Sequence, residues 1–364
     1  MPFVWAASAL FSFSFFVSFT LCFCFSDVLI SGIWSDAAAL EDPLLRSLVP
    51  DLLDLQLGSR APSTLNKYKS GWLRWRGWAS SRIGVPVIPA KPLHIALFIT
   101  ELTNVCLENN TGVSSIEAVV YGIKWAHSMA GLEICPANHP LVKSSLEGAK
   151  RKLARPVRPK EPLSVDTVQA IAEFYATSNS LATLRFLFIL LVGFYGFFRI
   201  DEISSFCLKD VSIYADHMSI YVAKRKNDQF REGHTSYLAR SGKSSCPVFI
   251  TERIVKGLSQ SNSSYPLVRR IVKSKSGEYF HASKGVSIST LRDEFKKYIQ
   301  PFVHDVSKYG THSMRSGAAS NPACRRIPGD LLDMHAGWRC PSSKNRYIKH
   351  AIEDRLRVSK SLLL

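Results

Sequence analysis

Between residues 63 and 155 the apolar positions recur at the spacing of amphipathic helices. In STLNKYKSGWLRWRGWAS, Leu65, Tyr68, Trp72 and Trp75 share one helical face, and Ser63 or Thr64 is placed to cap its start. PLHIALFITELTNVCLEN predicts a second helix. SSIEAVVYGIKWAHSMAG predicts a third, with Ile116, Val119, Val120, Ile123 and Trp125 apolar, and HPLVKSSLEGAKRKLA a fourth, with Pro140 near its start. No strand pattern interrupts them, which predicts a small all-helical domain. The stretch KRKLARPVRPKEPLS then breaks the helix with Pro156, Pro159 and Pro162 and reads as a domain boundary. Beyond it, 164–177 and 181–195 predict helices, the second (LATLRFLFILLVGFY) apolar all round and therefore buried. A helix containing Glu202 follows. MSIYVA and SYLARS predict a β-hairpin across a charged turn. Residues 264–300 are mixed and end in a basic helix, LRDEFKKYI, and from Ser313 the chain is helical again, with breaks near Pro322, Pro328 and Pro341. The expected fold class is mainly α with a small β-hairpin or sheet: an N-terminal all-helical domain over 41–155 and an α+β domain over 156–364.

Residues 1–40 stand apart. No charge occurs between Met1 and Ser26, and ALFSFSFFVSFTLCFCF is almost unbroken apolar and hydroxyl residues. Three readings fit: an anchor or signal segment, a buried N-terminal element, or an untranslated extension of the gene model. A signal peptide would begin with Lys or Arg, which is lacking here, and the small-residue run Ala37–Ala39 lies well past the apolar run. The extension is the preferred reading, and a membrane partner is not expected.

Composition narrows the class. Over 364 residues the chain is 46% hydrophobic and 21% charged, enough for a globular core, with a formal net charge of +17. That excess points to a polyanionic partner, most simply nucleic acid. Lys67, Lys69, Arg74 and Arg76 interleave with the apolar face of the first helix. Lys150, Arg151, Lys152, Arg155 and Arg158 crowd the boundary segment. Each set is either a solvated face or a track for phosphates, and the second also suits a nuclear-localisation patch. The eight cysteines are scattered, with no C-x-x-C pair, so no disulfide framework, zinc site or cofactor is expected.

The candidate chemistry lies in the second half. Arg199 follows the apolar run in GFYGFFRIDEI, with Glu202 one turn on. Lys226 sits in the basic turn AKRKNDQ, with Lys224 as a rival. In THSMRSGAAS, His312 and Arg315 lie one turn apart; Trp338 comes 23 residues after Arg315, and Tyr347 9 residues after Trp338. Singly, each is ordinary: a helix-end Arg, a packed Trp, one of twelve tyrosines. In this order and at these last two spacings they resemble the catalytic set of the tyrosine recombinases (the phage integrase family). The likeness spans about residues 60–360, and FRIDEIS, KNDQFREG, THSMRSGAAS, HAGW and NRYIKH resemble the eukaryotic, transposon-associated branch.

The resemblance implies a reaction: DNA strand cleavage and rejoining through a 3′-phosphotyrosine intermediate, as in site-specific recombination or integration of a mobile element. Tyr347 would be the nucleophile. Arg199 and Arg315 would clamp the scissile phosphate, because the guanidinium fork makes paired hydrogen bonds and keeps its charge. Lys226 would protonate the leaving 5′ oxygen, His312 would assist as acid or base, and Trp338 would buttress the phosphate. Glu202 and His335 would support them. The resemblance also implies a core-binding (SAM-like) helical domain, double-stranded DNA as partner, and a homo-tetramer on DNA joined by exchange of the tail EDRLRVSKSLLL; the basic charge, in turn, points to the nucleus, against the apolar residues 1–26. Two departures stand out: Pro322 interrupts the helix after HSMR, and Gly337 occupies a position where the branch carries Arg. The alternative is a catalytically inactive, domesticated relative that only binds DNA. A carboxylate-and-metal integrase would need converging Asp and Glu, which no motif here calls for.

Overall fold

The structure is a computed structural model that describes residues 26–156, 159–223, 225, 232–258, 262–275, 277–321, 327–338, 344, 347–348 and 356. The chain divides into two compact units, Met1–Val157 and Arg158–Leu364.

Unit 1 is helical among its described residues: α1 Ile33–Ala38, α2 Pro43–Gly58, α3 Pro62–Ser80, α4 Pro92–Glu108, α5 Ser114–Met129 and α6 Pro140–Lys152. Trp72 and Trp75 of α3 are fully buried, with Ile116, Val119 and Ile123 of α5 in the same core. The Trp75 indole donates to Val87 O at 2.9 Å, so its one polar atom is satisfied inside. Two details differ from expectation. Helix α3 starts at Pro62, capped by Ala61 with no side-chain bond, so Ser63 and Thr64 fall inside the first turn. Proline at the first helical position sets φ and lacks only an N–H that has no intrahelical acceptor there. The Leu-rich stretch ahead of it, for which the periodicity above predicts no element, is itself helix α2, started by Asp42, whose carboxylate accepts from Leu44 N and Leu45 N. None of its residues is buried. Among the described residues no helix is long and apolar enough to cross a membrane.

Unit 2 is built on α8 (Leu181–Tyr195), whose residues Thr183 to Phe194 are all buried. Packed with it are α7 (Val165–Tyr175), α9 (Ile200–Ser205), α10 (Pro247–Gly257), α11 (Ile288–Ile299) and α12 (His312–Ser320); α13 (Gly329–Ala336) follows. The one charged residue inside α8, Arg185, is paired with Glu294 and donates to Arg269 O. The expected hairpin is present as β2 (His217–Val222) and β3 (His234–Ala239), antiparallel with Val222 opposite His234, and β1 (Val211–Ile213) adds a third strand. Part of the mixed region is a second antiparallel pair, β4 (Arg269–Ser274) with β5 (Gly277–Gly285).

Helix α12 makes a close backbone approach at Gly317. Ser313 through Ala319 are all buried. The segment entering unit 2 lies directly against it: Glu161 N donates to Lys308 O at 2.7 Å and Leu163 N to Ser313 O at 3.0 Å. A Cβ on Gly317 would run into the Leu163 carbonyl oxygen and lie 3.0 Å from Leu163 N. The glycine of the SGAAS run is therefore a packing requirement of this contact. The helix stops at Ser320, with Asn321 already extended (φ −60°, ψ 129°), the conformation favoured ahead of a proline. Pro322 itself lies outside the described residues.

Candidate active site

Five segments of unit 2 meet at one place: the end of α8, the start of α9, the start of α12, the end of α13, and Tyr347. Phe197 turns the chain through a positive φ of 53°. Arg199 then caps α9: its backbone N–H donates to Glu202 Oε2 at 2.8 Å and its Nη1 to Oε1 at 2.9 Å. Glu202 is only 4% exposed, so it is a buried anion holding a guanidinium at the rim of the core. Its Oε2 is also 3.9 Å from Arg315 Nη1.

Arg315 is 1% exposed. Its Nη1 donates to Phe197 O and its Nη2 to Ala336 O at 3.1 Å. Its guanidinium carbon sits 5.2 Å from the centre of the Trp338 ring and 5.0 Å from that of Tyr347. Burial, and then the field of Arg199, lower its pKa to about 10, against the pull of Glu202. It is still a cation at neutral pH. At Arg199 burial acts against the charge, but Glu202 and the neighbouring Tyr347 hydroxyl outweigh it and the net shift is upward. The two guanidiniums therefore share one buried carboxylate, which leaves this corner with excess positive charge aimed at Tyr347.

The rings form a stack. Trp338 lies almost parallel to Tyr347, at 6.0 Å and 18°, and edge-on to Phe197 at 5.9 Å. Ser316 Oγ and Ser320 Oγ both donate to Tyr347 O, at 3.1 and 3.0 Å, so α12 holds the backbone of Tyr347 as well as Arg315. His312, the first residue of α12, has its ring 6.5 Å from the Tyr347 ring. Its side chain is exposed, yet the surrounding walls strip part of its hydration. That desolvation, and then Arg199, lower its pKa from 6.5, so it is neutral at pH 7 and able to accept a proton.

Six of the sequence candidates are thus brought together: Arg199, Glu202, His312, Arg315, Trp338 and Tyr347. His335 stands behind them. Its Nε2 lies 2.7 Å from Tyr195 O and its ring meets Phe197 edge-on at 5.3 Å. Lys226 and its rival Lys224 lie outside the described residues, as do Arg158 and most of the tail. Arg225 was not among the candidates. It is 7% exposed and donates from Nη1 to Ala336 O at 2.8 Å. In a run of Lys and Arg nothing marks one residue as buried; the only hint is Gly337, whose missing side chain leaves room for it.

The basic candidates of unit 1 divide. Lys67, Arg74, Arg151, Lys152 and Arg155 are exposed, whereas Lys69 is half-buried. Arg76 is paired with Asp27 and donates to Ser26 Oγ at 3.1 Å. Lys150 is held by Glu147 at 2.8 Å and Glu117 at 3.5 Å. Arg155 also donates to Thr111 O at 3.2 Å. Among the described residues no group of three or more His, Cys, Asp or Glu side chains is placed to hold a metal ion.

No family model matches the chain. An integrase/recombinase xerD homolog from Selenomonas ruminantium is 26% identical over 297 residues, covering 80% of this chain and 82% of the relative. Three solved structures share the fold. The Tn1549 transposon integrase in complex with transposon right end DNA covers 84% of this chain and 94% of its own, at 14% identity and a TM-score of 0.53. XerH site-specific recombinase bound to a palindromic difH substrate covers 82% and 78%, at 15% and 0.52. A lambda integrase dimer bound to a COC′ core site covers 85% and 81%, at 14% and 0.50. The mainly helical fold with its small antiparallel sheet is that of these enzymes.

Proposed function

We infer that this chain is a tyrosine recombinase of the integrase family, an enzyme that cuts and rejoins DNA strands in site-specific recombination. The observation that carries the inference is the meeting of Arg199 and Arg315, which share one buried carboxylate, with His312 and Tyr347. Two fixed guanidiniums suit the negative charge that grows on the non-bridging oxygens of a phosphate under attack. The Tyr347 oxygen attacks phosphorus and its proton passes to neutral His312. The bond from phosphorus to the 5′ oxygen breaks, and that oxygen takes a proton from Lys226, the residue the family resemblance assigns. The products are a 3′-phosphotyrosine and a free 5′-hydroxyl, with no water consumed. A 5′-hydroxyl from another strand reverses the step and rejoins the DNA.

Double-stranded DNA is the partner, supported by the charge of +17, the exposed Lys67, Arg74, Arg151 and Lys152, and the DNA in the structures of the similar enzymes. The motifs FRIDEIS, THSMRSGAAS and HAGW support a place in the transposon-associated branch, and hence a mobile-element origin. The resemblance carries one further proposal, a tetramer on DNA linked by exchange of the tail. Nuclear work is another, supported by the net charge of +17 and the basic run Lys150–Lys160. Unit 1 is proposed as the core-binding domain that grips the DNA beside the site.

The test is covalent capture. The full chain and its Tyr347→Phe variant are incubated, without metal, with a pool of randomised duplexes and quenched in detergent. A protein–DNA adduct with the native chain alone is expected. DNA binding without adduct from either chain would replace this reading with that of an inactive DNA-binding relative.

A further inference from the structure

The hairpin contributes a further cation to the site, beside Arg199 and Arg315. Two consecutive carbonyls close helix α13, those of His335 and Ala336, where the helix has no donors of its own left to offer. The β2–β3 hairpin supplies donors to both. Ser236 Oγ of β3 donates to His335 O at 3.2 Å. Arg225, in the connection between the strands, donates from Nη1 to Ala336 O at 2.8 Å. The same Ala336 oxygen accepts from Arg315 Nη2 at 3.1 Å. One backbone carbonyl therefore lies between the hairpin cation and a guanidinium of the proposed phosphate clamp.

Gly337 completes the arrangement. It sits in the left-handed region, at φ 60° and ψ 41°, and turns the chain directly into Trp338, the ring that backs Arg315. A Cβ there would collide with the Arg225 guanidinium, overlapping Nη1 and lying 3.1 Å from Nη2. The space in front of Gly337 is thus filled by a basic group delivered from another segment of the chain. The position flagged in the sequence for lacking a basic residue is the one against which Arg225 is packed.

We propose that Arg225 is a positioning residue of the phosphate clamp: by fixing Ala336 O and filling the space at Gly337, it holds Trp338 and Arg315 where a scissile phosphate needs them. The role rests on the recombinase reading above. It predicts a defect specific to the charge of the phosphate, because Arg225 would act through the cation Arg315. A substrate whose scissile phosphate is a neutral methylphosphonate makes little demand on that cation.

The experiment measures single-turnover adduct formation at saturating DNA, on phosphodiester and methylphosphonate versions of a site recovered by covalent capture. The native chain, Arg225→Met and Gly337→Ala are compared, with the Kd for uncleaved DNA and the melting temperature recorded for each. Arg225→Met keeps the bulk and removes the donor; Gly337→Ala pushes the guanidinium away from the other side. Both variants are expected to lose about tenfold or more in rate on the phosphodiester, the order of one hydrogen bond to a charged group. On the methylphosphonate the loss should be about threefold or less, with Kd unchanged. Equal losses on the two substrates, or no loss on either, would overturn the positioning role while leaving the recombinase reading intact. A native chain that binds DNA and makes no adduct would overturn both.

Discussion

Replacing Gly317 with Ala adds one methyl group to the middle of α12, and the structure sets the cost. The new Cβ would overlap Leu163 O and stand 2.9 Å from Leu163 C and 3.0 Å from Leu163 N, all backbone atoms that cannot rotate away. Relief requires the segment through Leu163 and α12 to separate. That puts at risk the bond from Leu163 N to Ser313 O, worth about 0.5–1.5 kcal/mol. Overpacking in a dense interior costs a further 1–3 kcal/mol or so. The sum is about 2–4 kcal/mol, against a gain of up to about 1 kcal/mol for Ala over Gly in a helix. For a unit of this size each kcal/mol moves the melting temperature by about 2–4 °C, so a fall on the order of 5–10 °C is expected. Thermal unfolding of the full chain, followed by tryptophan fluorescence and circular dichroism, measures it. Gly148→Ala is the internal control. It is also mid-helix, in α6, but its Cβ would meet nothing within 4 Å, so a small gain is expected. Because α12 carries His312 and Arg315, adduct formation should fall with Gly317→Ala even well below its melting point. If Gly317→Ala melts within about 1 °C of the native chain, the account of α12 packing is wrong.

Three further outcomes follow from the same geometry. Glu202→Gln leaves Arg199 and Arg315 without their shared anion, and breaking a buried pair of this kind costs about 3–5 kcal/mol; denaturant unfolding should show a loss of at least about 2 kcal/mol, and a smaller loss would mean that Glu202 is not the anchor. Adduct formation needs His312 neutral, and its pKa is lowered, so the acid limb of the rate profile should lie below pH 6.5; Arg199→Lys should leave it there, whereas Arg199→Gln, although slow, should move it upward, and a limb at or above 6.5 in the native chain would contradict the role. In unit 1, His127 is fully buried, accepts from Ala90 N at 2.9 Å, and has a pKa lowered by desolvation. The unfolded chain then binds the extra proton first, so stability should be complete above about pH 6.5 and fall as pH drops through that value; melting that is flat between pH 7 and 5 would refute it.

Much of this was legible in the sequence, for identifiable reasons. Helix α8 reads as buried because its apolar residues cover every face, and β2 and β3 read as a hairpin because Met218, Ile220 and Val222 alternate inward with outward neighbours. Helix α2 was missed because most of its leucines are exposed, and only Leu53 and Leu57 rest, half-buried, on the unit 1 core. The β4–β5 pair was read only as mixed, since RRIVKS and GEYFHASKG are short, largely polar strands in a two-stranded sheet, where burial imposes little alternation. The candidate site was found through spacing, which reports chain order and not contact. Hence Arg199, His312, Arg315, Trp338 and Tyr347 were legible, whereas the sharing of Glu202 and of Ala336 O was not. Arg225 was hidden by its lysine neighbours, because burial of one cation in a basic turn depends on Gly337, 112 residues away by numbering.

The central claim is that Tyr347 itself becomes joined to the 3′ end of a cut strand. The direct measurement is to digest the captured adduct with nuclease and protease and to sequence the modified peptide by mass spectrometry. The account predicts a nucleotide linked through its 3′ phosphate to Tyr347, with a free 5′-hydroxyl on the partner fragment. A nucleotide found on another residue, or a 5′ linkage, would contradict it.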